Sequence, residues 1–140
     1  MKSKGVRDFL KRVVTGTLTE FDITVPNKPG ALADLAEQLA ADAVNIKSIS
    51  TSGTDTIRLV TSDESTTRKV LTKAKLPWTE SEILQVRLLN RPGELAKIAR
   101  MLSREKINLD SVYILYGGEE FTDLAVKASN PAKAMQVLRG

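Results

Sequence analysis

The sequence predicts an α+β fold: two tandem ferredoxin-like modules, each ordered strand, helix, strand, strand, helix, strand, with antiparallel sheets carrying both helices on one face. Three observations carry the prediction: an internal repeat, hydrophobic periods that switch between helical and strand spacing, and turn signals between them. Residues 27–49, NKPGALADLAEQLAADAVNIKSI, lie over residues 90–112, NRPGELAKIARMLSREKINLDSV, without a gap and 63 residues later. Nine of the 23 positions are identical, too many for a chance pairing of two helices. Leu35 with Ile98, Val44 with Ile107, Ile46 with Leu109 and Ile49 with Val112 exchange one aliphatic side chain for another, which preserves a buried face. Upstream, Ile23 and Val25 match Val86 and Leu88 at the alternation of a half-buried strand. Downstream, Ile57 and Leu59 match Leu124 and Val126 if the second copy carries about four extra residues in a hairpin containing Gly117 and Gly118.

Each element follows from local chemistry. Residues 21–26 read as a strand, and the loop Asn27-Lys28-Pro29-Gly30 turns the chain into a helix over 31–42. Its apolar stripe is Leu32, Leu35, Ala36 and Leu39, matched by Leu95, Ile98, Ala99 and Leu102. A strand over 45–51, a turn at Gly53 and a strand over 56–61 come next. Ser62 or Asp63 then caps a second helix; in the second copy Asn130-Pro131 is the equivalent start, with proline where a missing N–H costs nothing. Residues 78–83 form the last strand of the first copy and run almost directly into the second, and Trp78 after Pro77 reads as a packing residue. The predicted organisation is a basic N-terminal segment over 1–20, one module over 21–83 and another over 84–140. The second copy reaches Gly140 just after its second helix, with no residues for a fourth strand. The segment Val13 to Leu18, or its equivalent from another chain, is expected to fill that place. A unit of ~60 residues buries a modest core and leaves sheet edges bare, so the two units of the chain are expected to pair. A homo-oligomer such as a dimer is also expected.

Composition excludes much chemistry. Among 140 residues there is no cysteine and no histidine, hence no disulfide, thiolate or imidazole. No metal site and no cofactor are expected. Asp22, Glu80, Glu82, Glu119 and Glu120 could act as acids or bases, yet none comes with a nucleophile, a phosphate loop or metal-ligand spacing. No catalytic residues are assigned and the chain is not expected to be an enzyme. The net charge of +4 is spread among acidic residues except at Lys2, Lys4, Arg7, Lys11 and Arg12, where Val6, Phe9, Leu10 and Val13 fall near helical spacing. A short helix with one face on the body is the expectation there, ahead of contact with a membrane or nucleic acid. No apolar run approaches the ~20 residues that span a bilayer, and a cytoplasmic location is expected. An RNA-recognition module shares the strand-helix order, but Lys47–Thr51 and Arg58–Val60 carry no aromatic side chains for base stacking. Tyr113, Tyr116 and Phe121 keep that alternative in view.

The Asn-x-Pro-Gly-x-Leu-Ala loop between strand and helix, and the Asn-Ile or Asn-Leu pair opening the following strand, resemble the ACT domain family of small-molecule-binding regulatory modules. The likeness extends from Phe21 to Leu138 as two tandem copies. The resemblance implies an amino-acid-binding regulatory protein, with the ligand held between paired modules and altering assembly or a partner's activity. Its site would draw on Asn27, Lys28, Pro29, Gly30, Ala31, Leu32, Asn45 and Ile46, and on Asn90, Arg91, Pro92, Gly93, Glu94, Leu95, Asn108 and Leu109. The implied partner is a separate biosynthetic enzyme or a transcription regulator. The chemistry suits such a ligand: a helix start offers N–H groups to a carboxylate, and a short amide can accept from an ammonium group. Gly30 and Gly93 leave room for close approach, and Pro29 and Pro92 stiffen the turn. The same residues also serve structure alone. Asn-x-Pro-Gly is a good turn and helix start, and Asn45 and Asn108 suit a helix C-terminal turn. An adaptor that only assembles partners remains the rival reading, and it predicts assembly indifferent to any amino acid.

Overall fold

The computed structural model describes residues 13–139; the amphipathic helix expected around Val6, Phe9 and Leu10 lies outside them. The elements are β1 (Val14–Thr24), α1 (Ala31–Ala41), β2 (Ile46–Ser52), β3 (Thr56–Thr61), α2 (Glu64–Lys73), β4 (Trp78–Leu89), α3 (Glu94–Arg104), β5 (Leu109–Gly117), β6 (Phe121–Ala128) and α4 (Pro131–Arg139). The chain divides into two compact modules. The first is Thr19–Ser81, and the second combines residues 13–18 with residues 82–139.

In the first module the strands lie in the order β2, β3, second half of β1, first residues of β4. Phe21 pairs with Leu59 and Ile23 with Ile57 in antiparallel register, so all four side chains share one face. They pack against Leu35 and Leu39 of α1 and Val70 and Leu71 of α2, which puts both helices on that face. Trp78 packs against the same core and donates from Nε1 to Glu80. The helix start resolves to Asp63, whose carboxylate accepts from the Thr66 backbone N–H at 2.9 Å.

The second module repeats this arrangement with β5, β6, the second part of β4 and the first part of β1. Leu84 pairs with Val126 and Val86 with Leu124, the pairs expected from the repeat when four residues are added to the β5–β6 hairpin. Asn130 caps α4 by accepting from the Lys133 backbone N–H at 3.1 Å.

The position without a strand of its own is filled by β1. Thr24 N–H donates to Pro77 O at 2.9 Å in the first module, and Arg87 N–H donates to Val13 O at 2.6 Å in the second. Thr24 and Arg87 occupy the same place in the repeat, so Val13 stands where Pro77 stands. Val13 and Val14 are buried in the second core beside Leu84, Val86 and Leu138. The expected strands over 21–26 and 78–83 are therefore longer than the repeat suggested. Each of β1 and β4 acts as first strand of one module and last strand of the other.

Two residues expected in the helix stripes are not buried: Leu32 is 44% and Leu95 46% exposed. The line facing the sheet follows i, i+4 spacing through positions 31, 35 and 39, and through 94, 98 and 102. Leu32 and Leu95 stand one position off that line, in the first turn of their helices.

The role of β1 in the second module predicts that Val14→Asp, placing a carboxylate in that core, lowers the unfolding free energy by about 3 kcal/mol. Urea denaturation should show the loss, whereas Thr17→Asp on the exposed side of the same strand should change it by under ~1 kcal/mol.

Candidate functional site

The two strand-to-helix loops have the same backbone. Lys28 N–H donates to Pro26 O and Asp34 N–H to Gly30 O in the first module; Arg91 N–H donates to Leu89 O and Lys97 N–H to Gly93 O in the second. Gly30 and Gly93 both adopt left-handed backbone, with φ of +89° and +88°, directly before the helix. No side chain caps either helix. A Cβ built on either glycine would meet nothing within 4 Å, so the left-handed conformation requires glycine here while the space above it is open.

Side chains distinguish the loops. In the second module Glu94, on the inward line of α3, has a side chain only 8% exposed, and its Oε1 accepts from Arg91 Nε at 2.9 Å and Lys97 Nζ at 3.1 Å. Asn90 donates from Nδ2 to Gly118 O at 2.8 Å and from its backbone to Glu120 O, which ties the loop to the β5–β6 hairpin. In the first module the position of Glu94 is held by Ala31, and those of Arg91 and Lys97 by Lys28 and Asp34. Among the described residues neither the Lys28 ammonium nor the Asp34 carboxylate has an ion-pair partner. Both line a pocket of about 170 Å³, together with Val25, Pro26, Ala31, Leu35, Gln38, Ala74 and Leu76.

The remaining expected site residues do not all gather there. Asn27, Pro29, Gly30 and Leu32 are exposed around the first loop, as are Pro92, Gly93 and Leu95 around the second. Asn45 and Asn108 lie at the other end of the helix, ~16 Å along its axis from the glycine. Their backbones are already paired: Asn45 N–H donates to Ser62 Oγ and its O accepts from Ser62 N–H, and Asn108 does the same with Ser129. Ile46 and Leu109 turn inward and pack against the cores. Within a module, then, the Asn-Ile and Asn-Leu pairs are not part of the loop's pocket. Asp34, Gln38 and Lys97 were missed by the sequence reading. For Lys97 the signal was the i, i+3 spacing of charges at 91, 94 and 97, and for Asp34 the charge six residues after Lys28 at the equivalent place in the repeat; Gln38, uncharged, gave none.

The equivalent place in the second module is an open, largely apolar groove of about 580 Å³ along α3, lined by Val13, Leu88, Gly93, Glu94, Ala96, Lys97, Ile98, Arg100, Met101 and Arg104. Leu88, Glu94, Lys97, Ile98 and Met101 stand there where Val25, Ala31, Asp34, Leu35 and Gln38 stand in the first module. No cluster of three or more potential metal ligands occurs among the described residues. No helix among them is long and apolar enough to cross a membrane.

The sequence pattern of a family described as ACT domain pair matches residues 16–139. No curated protein matches the sequence. Among solved structures, protein BT0572 from Bacteroides thetaiotaomicron is similar at 24% identity and a TM-score of 0.81, over 88% of this chain and 87% of that one. The ligand-free regulatory subunit of aspartate kinase from Thermus thermophilus is similar at 16% identity and a TM-score of 0.59, over 90% and 96% of the two chains. Escherichia coli aspartokinase III in complex with lysine and aspartate is similar at 18% identity and a TM-score of 0.52, over 88% of this chain and 30% of that one. At these identities the likeness is one of fold.

Carboxylates locked by cations make the fold acid-sensitive. Hydrogen bonds from Arg87, at 2.8 and 3.1 Å, hold the buried Asp123 carboxyl below its ordinary value of 3.8, and Arg91 holds Glu94 below 4.5. A group whose folded pKa is depressed contributes stability above its unfolded pKa and loses it as pH falls through the folded value. The urea midpoint is therefore expected to be flat from pH 7 to about pH 5 and to fall below it. Asp123→Asn should lower the unfolding free energy at pH 7 by on the order of 1 kcal/mol, because Arg87 is partly exposed, and should make the acid decline shallower.

Proposed function

The chain belongs to the ACT domain pair family, and from that premise we propose that it is a non-catalytic regulatory protein that senses a free amino acid at a strand-to-helix loop. The observation that carries this reading is the loop itself, formed twice with the same backbone hydrogen bonds and the same left-handed glycine beneath open space. A ligand carboxylate approaching the helix start gains from its N–H groups, which no side chain caps. The reading is also supported in kind by fold relatives that are a regulatory subunit of aspartate kinase and an aspartokinase in complex with lysine and aspartate.

Regulation follows from linkage. An amino acid that binds one arrangement of paired modules better than the alternatives shifts the chain toward that arrangement, by no more than the difference in affinity. The output is a change in homo-oligomeric assembly or in the activity of a separate partner, a biosynthetic enzyme or a transcription regulator, and the reading goes with a cytoplasmic location. It involves no catalytic step, cofactor or metal. The adaptor reading differs in one respect: assembly there would be the same with and without amino acids.

A thermal-shift screen of the purified chain against each of the twenty amino acids tests the proposal. One or a few related amino acids should raise the melting temperature, with ~2.7 kcal/mol of stabilisation at a hundredfold excess over the dissociation constant. A ligand-free, folded sample that responds to none of them would replace the sensor by the adaptor.

A further inference from the structure

The pocket of the first module has a wall that the groove of the second lacks. Ala74 and Leu76, in the connector that leads α2 into β4, line the first pocket beside Ala31 and Gln38. Among the described residues nothing lines the α3 groove at that place, and the groove is open, with about 580 Å³ against about 170 Å³. The repeat says which residues correspond to the missing wall. Val13 O accepts from Arg87 N–H as Pro77 O accepts from Thr24 N–H, so Leu10, Lys11 and Arg12 precede Val13 as Ala74, Lys75 and Leu76 precede Pro77. Val13 itself lines the groove, and at ~3.8 Å per residue the three residues before it reach no further than ~11 Å from its Cα.

Glu94 supplies the matching charge. Arg91 and Lys97 both bind its Oε1, at 2.9 and 3.1 Å, and its Oε2 has no hydrogen-bond or ion-pair partner among the described residues. On a carboxylate whose side chain is 8% exposed, that oxygen is an acceptor still to be filled. The first-module equivalents of Glu94 and Arg12 are Ala31 and Leu76, which line one pocket and pack on one core. An apolar pair in one module is thus exchanged for an oppositely charged pair at the same two places of the other.

We propose that the α3 groove is the docking site of this chain's own residues 10–12, with Leu10 on the apolar floor at the place of Ala74 and Arg12 paired to Oε2 of Glu94. Lys11 takes the place of Lys75, which is exposed, and keeps its charge in water, away from Arg100 and Arg104. The residues before β1 then complete the second module twice, with its last strand and with the connector that precedes it. Because Gly93 lines the same groove, they also wall the second loop as Ala74 and Leu76 wall the first. The proposal stands or falls independently of the amino-acid reading.

A chain without cysteine makes introduced thiols clean reporters. In the full chain, Leu10→Cys with Met101→Cys should oxidise to an intrachain disulfide, since Ala74 and Gln38 at the same two places line one pocket. Leu10→Cys with Ser103→Cys, on the same helix but off the groove, should cross-link at least ~10-fold more slowly. Equal rates at 101 and 103 would overturn the proposal, and so would a disulfide at 101 that joins two chains, which would give the groove to a second copy. Urea midpoints read the ion pair separately. Arg12→Leu should lower the midpoint of the unaltered chain but raise that of Glu94→Ala, where it restores the apolar pair of the first module. A change of the same sign and size in both backgrounds would remove Arg12 from Glu94.

Discussion

The backbone pairing of β1 and β4 is the constraint on which the rest of the structure depends. They are eleven and twelve residues long, about twice the usual ~5–6 for a strand, because each serves two modules. One half of β1 carries Phe21 and Ile23 into the first core, and the residues before it carry Val13 and Val14 into the second. In β4 the division is reversed: Trp78 packs on the first core, and Leu84, Val86 and Leu88 belong to the second. A module lacking its last strand would leave the backbone groups of its first strand facing water and one side of its core open. The hydrogen bonds Thr24 to Pro77 and Arg87 to Val13 close both modules in the same register. Residues before the repeat are thereby made indispensable to its second copy.

With the sheets closed, each first strand delivers its loop in one fixed geometry. The left-handed glycine ends the strand's excursion and starts the helix, and the inward line of the helix then falls at the third position after the loop's lysine or arginine. What stands there decides the character of the loop. Ala31 lines a pocket of about 170 Å³ beside Lys28 and Asp34, whereas Glu94 lines a groove of about 580 Å³ and pairs its buried carboxylate with Arg91 and Lys97. A burial this complete costs a carboxylate much of its hydration, and the two cations offset it. Duplication has thus kept the scaffold of the loop while letting its chemistry diverge, as expected where backbone conformation is under steric constraint and first-turn side chains are not.

Much of the fold was legible in the sequence because the repeat is gap-free across its loop and helix, and its four-residue insertion falls in a hairpin with two glycines. Pairs such as Leu84 with Val126 follow from Phe21 with Leu59 by that arithmetic alone. The caps Asp63 and Asn130 were readable because a short acceptor before a helix has few other uses. Strand lengths were not, since a strand that passes from one module to the other shows no break in its alternation. Leu32 and Leu95 misled because a leucine at i−3 from a buried residue reads as stripe, whereas the sheet here touches only the i, i+4 line. Asn45 and Asn108 were grouped with the glycine loops on likeness; helix length separates them within a module and Ser62 and Ser129 occupy their backbones. The asymmetry between loops was present in the spacing of charges at 91, 94 and 97, but only burial of Glu94 gives it meaning.

The most direct test of the account is a crystal structure of the full chain grown with a mixture of the twenty amino acids. It should show an α-amino acid at a strand-to-helix loop, its carboxylate toward the helix start beside Gly30 or Gly93. Both loops left empty in a lattice that exposes them would contradict it.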